Sequence, residues 1–570
     1  MIDKRWIQIP ELPSDQLEVA RELAEALKVN SFLATLLVQR GIKDFEQSRN
    51  FFRPELTHLH DPYLMKDMEL AVERLSKAIA NGEKILVYGD YDVDGTTSVS
   101  LFYGFLKKIY DNLDYYIPDR YNEGYGVSWQ SIDFAQENGF TLIVTLDCGI
   151  KSVDKVTEAA KRNIDFIICD HHRPGDELPP AIAVLDPKRE DCPYPYKELT
   201  GCGVGFKLLQ AFCIQQDIPQ ELLFEYLDLV VISIAADIVP ITGENRVLAY
   251  YGLQRLNAAP RIGIKALIQI AGLNGVLDIT KVVFGLGPRI NAAGRIKHAK
   301  EAVRLLLSEE EQEANDFAFE INKHNSDRRT FDSSITEEAL AMIENDTWFA
   351  DVRSTVLYKE DWHKGVIGIV ASRCIEKYHR PTIILTQSHG KAAGSARSVP
   401  GFDVYEAIEE CADLLEQFGG HTFAAGLTLP LENVKAFRVK FDQIVSSRIM
   451  PDQLVPMINI DLKLELSAIT TKFYNILRQM GPFGPGNMTP VFESEEVSLA
   501  GQPVIMKEKH IKFDVKQKDS PIFTVIGFGM SQFYPDLMKG NSFSICYNLE
   551  ENNFRDKKTL QLFLKDIKFN

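Results

Sequence analysis

Lys84-Ile85-Leu86-Val87-Tyr88-Gly89-Asp90-Tyr91-Asp92-Val93-Asp94-Gly95 runs from a short apolar stretch into three carboxylates at alternate positions. Three such carboxylates repel one another, and a folded chain keeps them ionised together when a multivalent cation neutralises them. The stretch therefore reads as a buried strand that ends in metal ligands. A calcium loop of the D-x-D-x-D-G type would need a preceding helix and a bidentate Glu at its twelfth position, where this chain has Leu101. An acidic surface turn without any ligand is the other plain alternative.

Outward from this stretch, the chain between about Lys84 and Pro187 alternates β-like runs with helical ones, the pattern of a parallel sheet built from crossover units. The predicted strands are Lys84 to Tyr88, Asp114 to Ile117, Thr141 to Leu146, Asp165 to Cys169 and Ala181 to Leu185, with a crossover helix over Gly95 to Lys108. Open parallel sheets bind ligands beyond the carboxyl ends of their strands. Polar clusters stand at those ends: Asp90, Asp92 and Asp94, then Asp147, then Asp170-His171-His172, then Asp186. A further Asp237 follows the apolar run Leu229 to Ala236.

Glu301 to about Glu344 has a helical, highly charged pattern without Gly or Pro, which predicts a long connecting helix. Thr355 to Tyr358 and Thr382 to Leu385, with a helix near Gly365 to Tyr378, read as a second α/β unit. From Met457 onward, Phe513, Val515, Phe523, Val525, Phe543, Ile545, Leu562 and Leu564 sit in short β-like runs, which suggests a small barrel or sandwich. The expected fold class is α/β: a parallel-sheet domain joined by a long helix to a smaller α/β domain, plus a C-terminal β-rich domain. The expected boundaries are an N-terminal helical segment over 1–70, a catalytic domain over 71–290, a connecting helix over 291–345, a second lobe over 346–450 and the β-rich domain over 457–570.

At 570 residues the chain exceeds a single core, and 45% hydrophobic with 25% charged residues is ordinary for a globular protein. No apolar run is long enough to span a bilayer, and no signal-type core follows Met1, so a cytoplasmic location without membrane partners is expected. The eight cysteines are scattered with no C-x-x-C pair, which signals neither a zinc knuckle nor a disulfide framework. A net charge of -17 argues against non-specific wrapping of nucleic acid and leaves room for a local basic groove.

Two divalent cations held about 3.5–4 Å apart favour phosphate-ester hydrolysis, and oxygen ligands with one imidazole suit Mn2+ or Mg2+. Here the residues carry a resemblance. Gly89 to Gly95, Leu146-Asp147-Cys148-Gly149, Asp170-His171-His172 and Ala236-Asp237-Ile238-Val239-Pro240 resemble the four ordered motifs of the DHH phosphoesterase superfamily. Trp362 to Arg373 and Gly419-Gly420-His421 resemble its DHHA1 companion domain. Gly287 to Arg295 and Pro482-Phe483-Gly484-Pro485-Gly486-Asn487 narrow the likeness to the RecJ family of single-strand-specific exonucleases.

That resemblance implies that Asp92, Asp94, Asp147, His171 and Asp237 ligate two cations, Mn2+ or Mg2+, with Asp147 bridging and Asp90 either a ligand or a partner of one. It implies that His172 faces the scissile phosphate, that Asp94, Asp147 and His172 carry the catalysis, and that a metal-bound water is the nucleophile. Ser395, Arg397 and Ser398, with Arg289 or Arg295, are implied as holders of a terminal 5′ phosphate, where a guanidinium suits bidentate capture. Gly419-Gly420-His421 reads either as a glycine turn or as a substrate contact through His421. In the loop Asp119 to Ser128, Arg120 can meet backbone phosphate and Tyr125 can stack on a base. Lys507, Lys509, Lys512, Lys516 and Lys518 crowd the region that resembles the family's oligonucleotide-binding fold, or form a solvated edge.

The implied activity is processive 5′ to 3′ release of mononucleotides from single-stranded DNA in repair and recombination, by a monomer working with a helicase and a single-strand-binding protein. A channel between the lobes is expected to exclude duplex. Two competing readings are a small-substrate phosphoesterase of the same superfamily, whose chains usually stop after the second lobe, and a cleavage-inactive protein that only binds single strands, which would typically have lost ligands.

Overall fold

β1 (Ile85–Gly89) occupies an inner position of a five-stranded sheet completed by β2 (Leu113–Tyr116), β3 (Leu142–Leu146), β4 (Asp165–Cys169) and β5 (Ala183–Leu185). The strands run in the order β2-β1-β3-β4-β5, all parallel. A computed structural model of the chain describes residues 3–554 and 557–569. The five expected strands are present to within two residues at either end, and continuous burial gives the inner strands β1, β3 and β4 their unalternating apolar character. Ile85 and Val87 enter the core on one face of the sheet, and Leu86 and Tyr88 the core on the other.

Three helices bear on the site. Helix α1 (Val93–Lys107) starts at Asp92, whose side chain caps it by accepting from the Gly95 amide at 3.0 Å. Helix α2 (Gly201–Gln215) is capped by Thr200, whose hydroxyl accepts from the Gly203 amide at 3.0 Å. The apolar run before Asp237 is helix α3 (Leu227–Ala236), buried along nearly its whole length, so Asp237 arrives from a helix C-terminus and not from the sheet.

Two compact units divide the chain: one of residues 44–327 with 479–489, the other of residues 1–43, 328–478 and 490–570. The N-terminal segment is not wholly helical, since Arg5–Gln8 is a strand paired in parallel with Met457–Ile460, and residues 1–43 and 44–70 go to different units. The stretch 291–345 is not one helix either. It contains α4 (Gly287–Ile296), a short helix Lys300–Leu307 and the long α5 (Glu311–Asn345). The short helix buries Ala302, Val303, Leu305 and Leu306, and Ser308 turns out to extended backbone, so this face joins the first core before the connecting helix begins. α5 carries the chain from the first unit into the second.

In the second unit, β6 (Thr355–Tyr358), β7 (Thr382–Ser388), β8 (Lys391–Arg397), β9 (Gln417–His421) and β10 (Ala424–Leu429) form a sheet in the order β9-β10-β8-β7-β6. Gly394 to Arg397 thus lie in strand β8. Farther on, β11 (Phe492–Leu499), β12 (His510–Lys516), β13 (Phe523–Gly527), β14 (Phe543–Phe554) and β15 (Lys557–Phe569) close on themselves through the pairs β11–β12, β12–β13, β13–β15, β15–β14 and β14–β11. A closed five-stranded barrel is the oligonucleotide-binding architecture. All eight β-like apolar residues picked from the sequence point into it and are buried, while the five crowded lysines are exposed.

The first core also encloses a charged pair. The Lys207 ammonium, fully buried, donates to His60 O (2.7 Å), Gln210 Oε1 (2.8 Å) and Glu244 Oε1 (3.0 Å), and the Tyr194 hydroxyl donates to Glu244 Oε2 at 2.6 Å. Replacing Glu244 by Ala strands an ammonium in this core and should destabilise the first unit by about 3–5 kcal/mol. A denaturation midpoint for Glu244→Ala equal to that of the parent protein would contradict this account.

Candidate metal centre

The sheet register explains how distant residues converge. Gly89, Leu146, Cys169 and Leu185 are successive partners across β1, β3, β4 and β5, and the residue after each is an aspartate: Asp90, Asp147, Asp170 and Asp186. Four carboxylates therefore leave one rim of the sheet side by side. The strand order reverses at β1, which places the crevice of a doubly wound sheet at this rim.

His171 is the hub. Its Nε2 lies 3.1 Å from Asp147 Oδ1, 3.6 Å from Asp237 Oδ2 and 3.7 Å from Asp94 Oδ2, and neither ring nitrogen makes a hydrogen bond. Ligand atoms of Asp147, His171 and His172, and those of Asp94, His171 and Asp237, form two groups with separations within 4.8 Å. Asp90 and Asp92 stand outside these two groups but repel each other, and Asp92 repels Asp147. Both carboxylate oxygens of the buried Asp90 and Oδ1 of the buried Asp147 lack a hydrogen-bond partner. Buried carboxylate oxygens normally have one.

Electrostatics point the same way. Burial, then neighbouring carboxylates, push Asp90, Asp92, Asp147 and Asp237 above the usual carboxylate range. Burial lowers His171 to about 4, so the ring is neutral at physiological pH, the form that ligates. A cluster of orphaned oxygens plus a neutral imidazole is the donor set expected for Mn2+ or Mg2+, and the residues fit such cations.

Asp94 is held differently. Its Oδ2 accepts from the Gly201 amide at 2.7 Å, and its Oδ1 from the Cys202 amide at 2.9 Å and the Ser233 hydroxyl at 2.7 Å. The N-terminus of α2 thus orients this carboxylate with two of its unpaired amides. No sequence signal marked Gly201, Cys202 or Ser233. Gly201 is required by space, because a Cβ there would lie 2.4 Å from Asp147 Cβ and 2.6 Å from its Cα.

Asp170 serves His172. Its Oδ1 receives the His171 and His172 amides (2.8 and 3.1 Å) and faces His172 Nδ1 at 2.7 Å, while Oδ2 accepts from the Ile150 amide at 2.9 Å. Desolvation opposes a charged His172, yet the hydrogen bond and charge of Asp170 outweigh it and raise the imidazole to about 9. His172 Nε2 then presents a proton outward, now against the Tyr125 hydroxyl at 3.0 Å. Asp186, buried with Oδ2 unpartnered, is raised to about 7 by burial first and Asp170 among its neighbours.

The remaining sequence candidates separate. Arg120 lies over the Tyr91 ring at 4.8 Å, and Tyr125 is exposed beside Tyr91 and His172, so both border the cluster. Arg295 is half-buried next to Tyr91 and Tyr121. Arg289, by contrast, is buried and donates to Gly285 O (2.6 Å) and Asn322 Oδ1 (3.0 Å), which makes it a fastener of α4 to α5. In the second unit, Arg397 donates to Ser395 Oγ at 2.9 Å, and a Cβ at Gly368 would strike both side chains at 2.7 and 2.9 Å. Strand pairing sets His421, Ala424 and Arg397 in one row on one face. Ser398 is not part of this set: its hydroxyl donates to Phe402 O at 2.6 Å.

The DHH family N-terminal domain matches residues 84–234, the DHHA1 domain residues 351–447 and the RecJ OB domain residues 460–566. The single-stranded-DNA-specific exonuclease RecJ of Bacillus subtilis (strain 168) is 39% identical over 99% of this chain and 70% of its own length, and that of Escherichia coli (strain K12) is 35% identical over 94% and 95%. The chain belongs to the RecJ family. The crystal structure of RecJ from Thermus thermophilus in complex with Mn2+ superposes with a TM-score of 0.85 at 28% identity, covering 99% of this chain and 80% of that one. RecJ from the same organism has also been crystallised with Mg2+, which agrees with the donor set here.

Two outcomes follow from the cluster. Gly201→Ala should weaken Mn2+ binding about 10–100-fold, the usual scale for disturbing a ligand's support; unchanged affinity by calorimetry would contradict the packing argument. The carboxyls raised by burial and by mutual repulsion contribute stability only while protonated, and lose it as pH rises through their folded-state pKa values. A cation replaces those protons, so the rise in thermal midpoint caused by Mn2+ should grow as pH rises through those values. A pH-independent rise would count against the cluster as the binding site.

Proposed function

We propose that this protein is a 5′ to 3′ exonuclease that hydrolyses single-stranded DNA to mononucleotides at the cluster of Asp94, Asp147, His171 and Asp237, with Asp90 and Asp92 completing the ligand set. The convergence of three carboxylates on the one neutral, unbonded His171 carries this reading. Bound there, two divalent cations would neutralise the carboxylates, polarise the scissile phosphate and lower the pKa of an attacking water. Asp147 would be a ligand at the centre of this set, since its carboxylate groups with His171 and His172 and faces the charges of Asp94, Asp92 and Asp237.

The protein's own groups account for the other steps. His172, charged and aimed by Asp170, donates from Nε2 to a phosphate oxygen as negative charge builds on it. Arg120 and Arg295, beside Tyr91, meet backbone phosphate at the rim, and Tyr125 stacks on a base. Ser395 and Arg397 present a hydroxyl and a guanidinium to a terminal 5′ phosphate, with His421 in the same row. Arg295 is preferred to Arg289 for a phosphate contact because Arg289 is spent on Gly285 and Asn322.

No helix among the described residues is long and apolar enough to cross a membrane. Eight buried, unbridged cysteines fit work in the reducing cytoplasm. A helicase and a single-strand-binding protein fit as partners, since they supply and occupy this substrate.

The test is gel analysis of a 5′-phosphorylated single strand against blunt duplex in Mn2+. Asp147→Ala should abolish cleavage and spare strand binding, while Arg397→Ala should cost about 10–100-fold in KM on the phosphorylated strand and much less on a 5′-hydroxyl strand. Duplex degraded as fast as single strand, or Asp147→Ala turning over normally, would overturn the assignment.

A further inference from the structure

Ile238 follows Asp237 directly and holds a left-handed backbone, with φ of 61°. The position is the one just past the C-terminus of α3, where the chain reverses out of the helix and glycine or asparagine is the usual occupant. A β-branched side chain is strained there. Twelve non-glycine residues have positive φ among the described residues, and the other eleven are Lys, Asp, Asn, His or Glu. Ile238 is alone in being apolar and branched at Cβ.

Burial does not explain the choice. Ile238 is 66% exposed, whereas Val239 next to it is buried. A core residue would recover its strain through packing, and a pure turn would be easier with glycine. The side chain is instead an aliphatic group in solvent, one residue from a carboxylate whose Oδ2 lies 3.6 Å from His171 Nε2. A phosphodiester held at Asp237 would lie one residue along the chain from this side chain.

We infer that Ile238 is an apolar contact for the nucleoside attached to the scissile phosphate, a specificity residue that seats sugar and base while the carboxylates hold the phosphate. The inference rests on the nuclease reading above. Strand binding would cover the exposed aliphatic group, and the transfer of that surface out of water is what favours a correctly seated nucleotide.

Ile238→Gly and Ile238→Asn both accept the left-handed backbone, so neither should harm folding or the placement of Asp237. With a 5′-phosphorylated oligodeoxynucleotide, both should raise KM about tenfold, the scale of losing one covered aliphatic side chain. Turnover at saturation should stay within about twofold, Mn2+ affinity by calorimetry should match the parent protein, and Ile238→Leu should restore KM. An unchanged KM in Ile238→Gly overturns the contact. A fall in Mn2+ affinity or kcat with KM constant overturns it too, because the residue would then act only by aiming Asp237. Turnover of the parent protein on single strands tests the nuclease reading separately, since the inference is read from the ratio of variant to parent.

Discussion

Repulsion among carboxylates packed on one rim of a parallel sheet is the constraint around which the first unit is arranged. Parallel strands in register deliver Asp90, Asp147, Asp170 and Asp186 side by side, and α3 adds Asp237 from another direction. Left without counter-charge, such a set favours protonation or unfolding. The protein assigns different solutions to different members. Asp94 is oriented by the amides of α2 and the Ser233 hydroxyl, Asp170 is satisfied by backbone amides and His172, and Asp90, Asp147 and Asp186 keep bare oxygens.

The division of labour also separates the two histidines of one dipeptide. His171 is buried, unbonded and depressed to about 4, which suits ligation; His172 is propped by Asp170 and raised to about 9, which suits donation to an anion. Adjacent residues of one type thus acquire opposite protonation preferences from their surroundings. Close packing enforces the arrangement, since α2 approaches Asp147 at a glycine with no room for a methyl group.

Much of this was legible beforehand. Unbroken apolar runs marked most of the parallel strands, and an aspartate after four of the five marked the rim, because a sheet buried on both faces has polar residues only where its strands end. The alternating apolar residues from Phe513 to Leu564 likewise announced the inside of the barrel. Less legible were features set by long-range docking. The helix break near Ser308 depends on a face that packs into the first core, and the roles of Gly201 and Ser233 depend on which helix ends meet Asp94. Arg289 and Ser398 carry the right chemistry for phosphate, but local partners consume both.

Sequence by itself determined the strand runs, the identities of the ligating groups and the kinship of the chain, because each of these is written in residue type and near-neighbour spacing. Tertiary structure alone decided which carboxylates remain unpaired, which histidine is neutral, that Arg289 is tied into the frame and that Ile238 stands exposed beside the cluster. The physical reason is that hydrogen bonds, desolvation and burial are properties of neighbours brought together from distant parts of the chain, and no local pattern records who those neighbours will be.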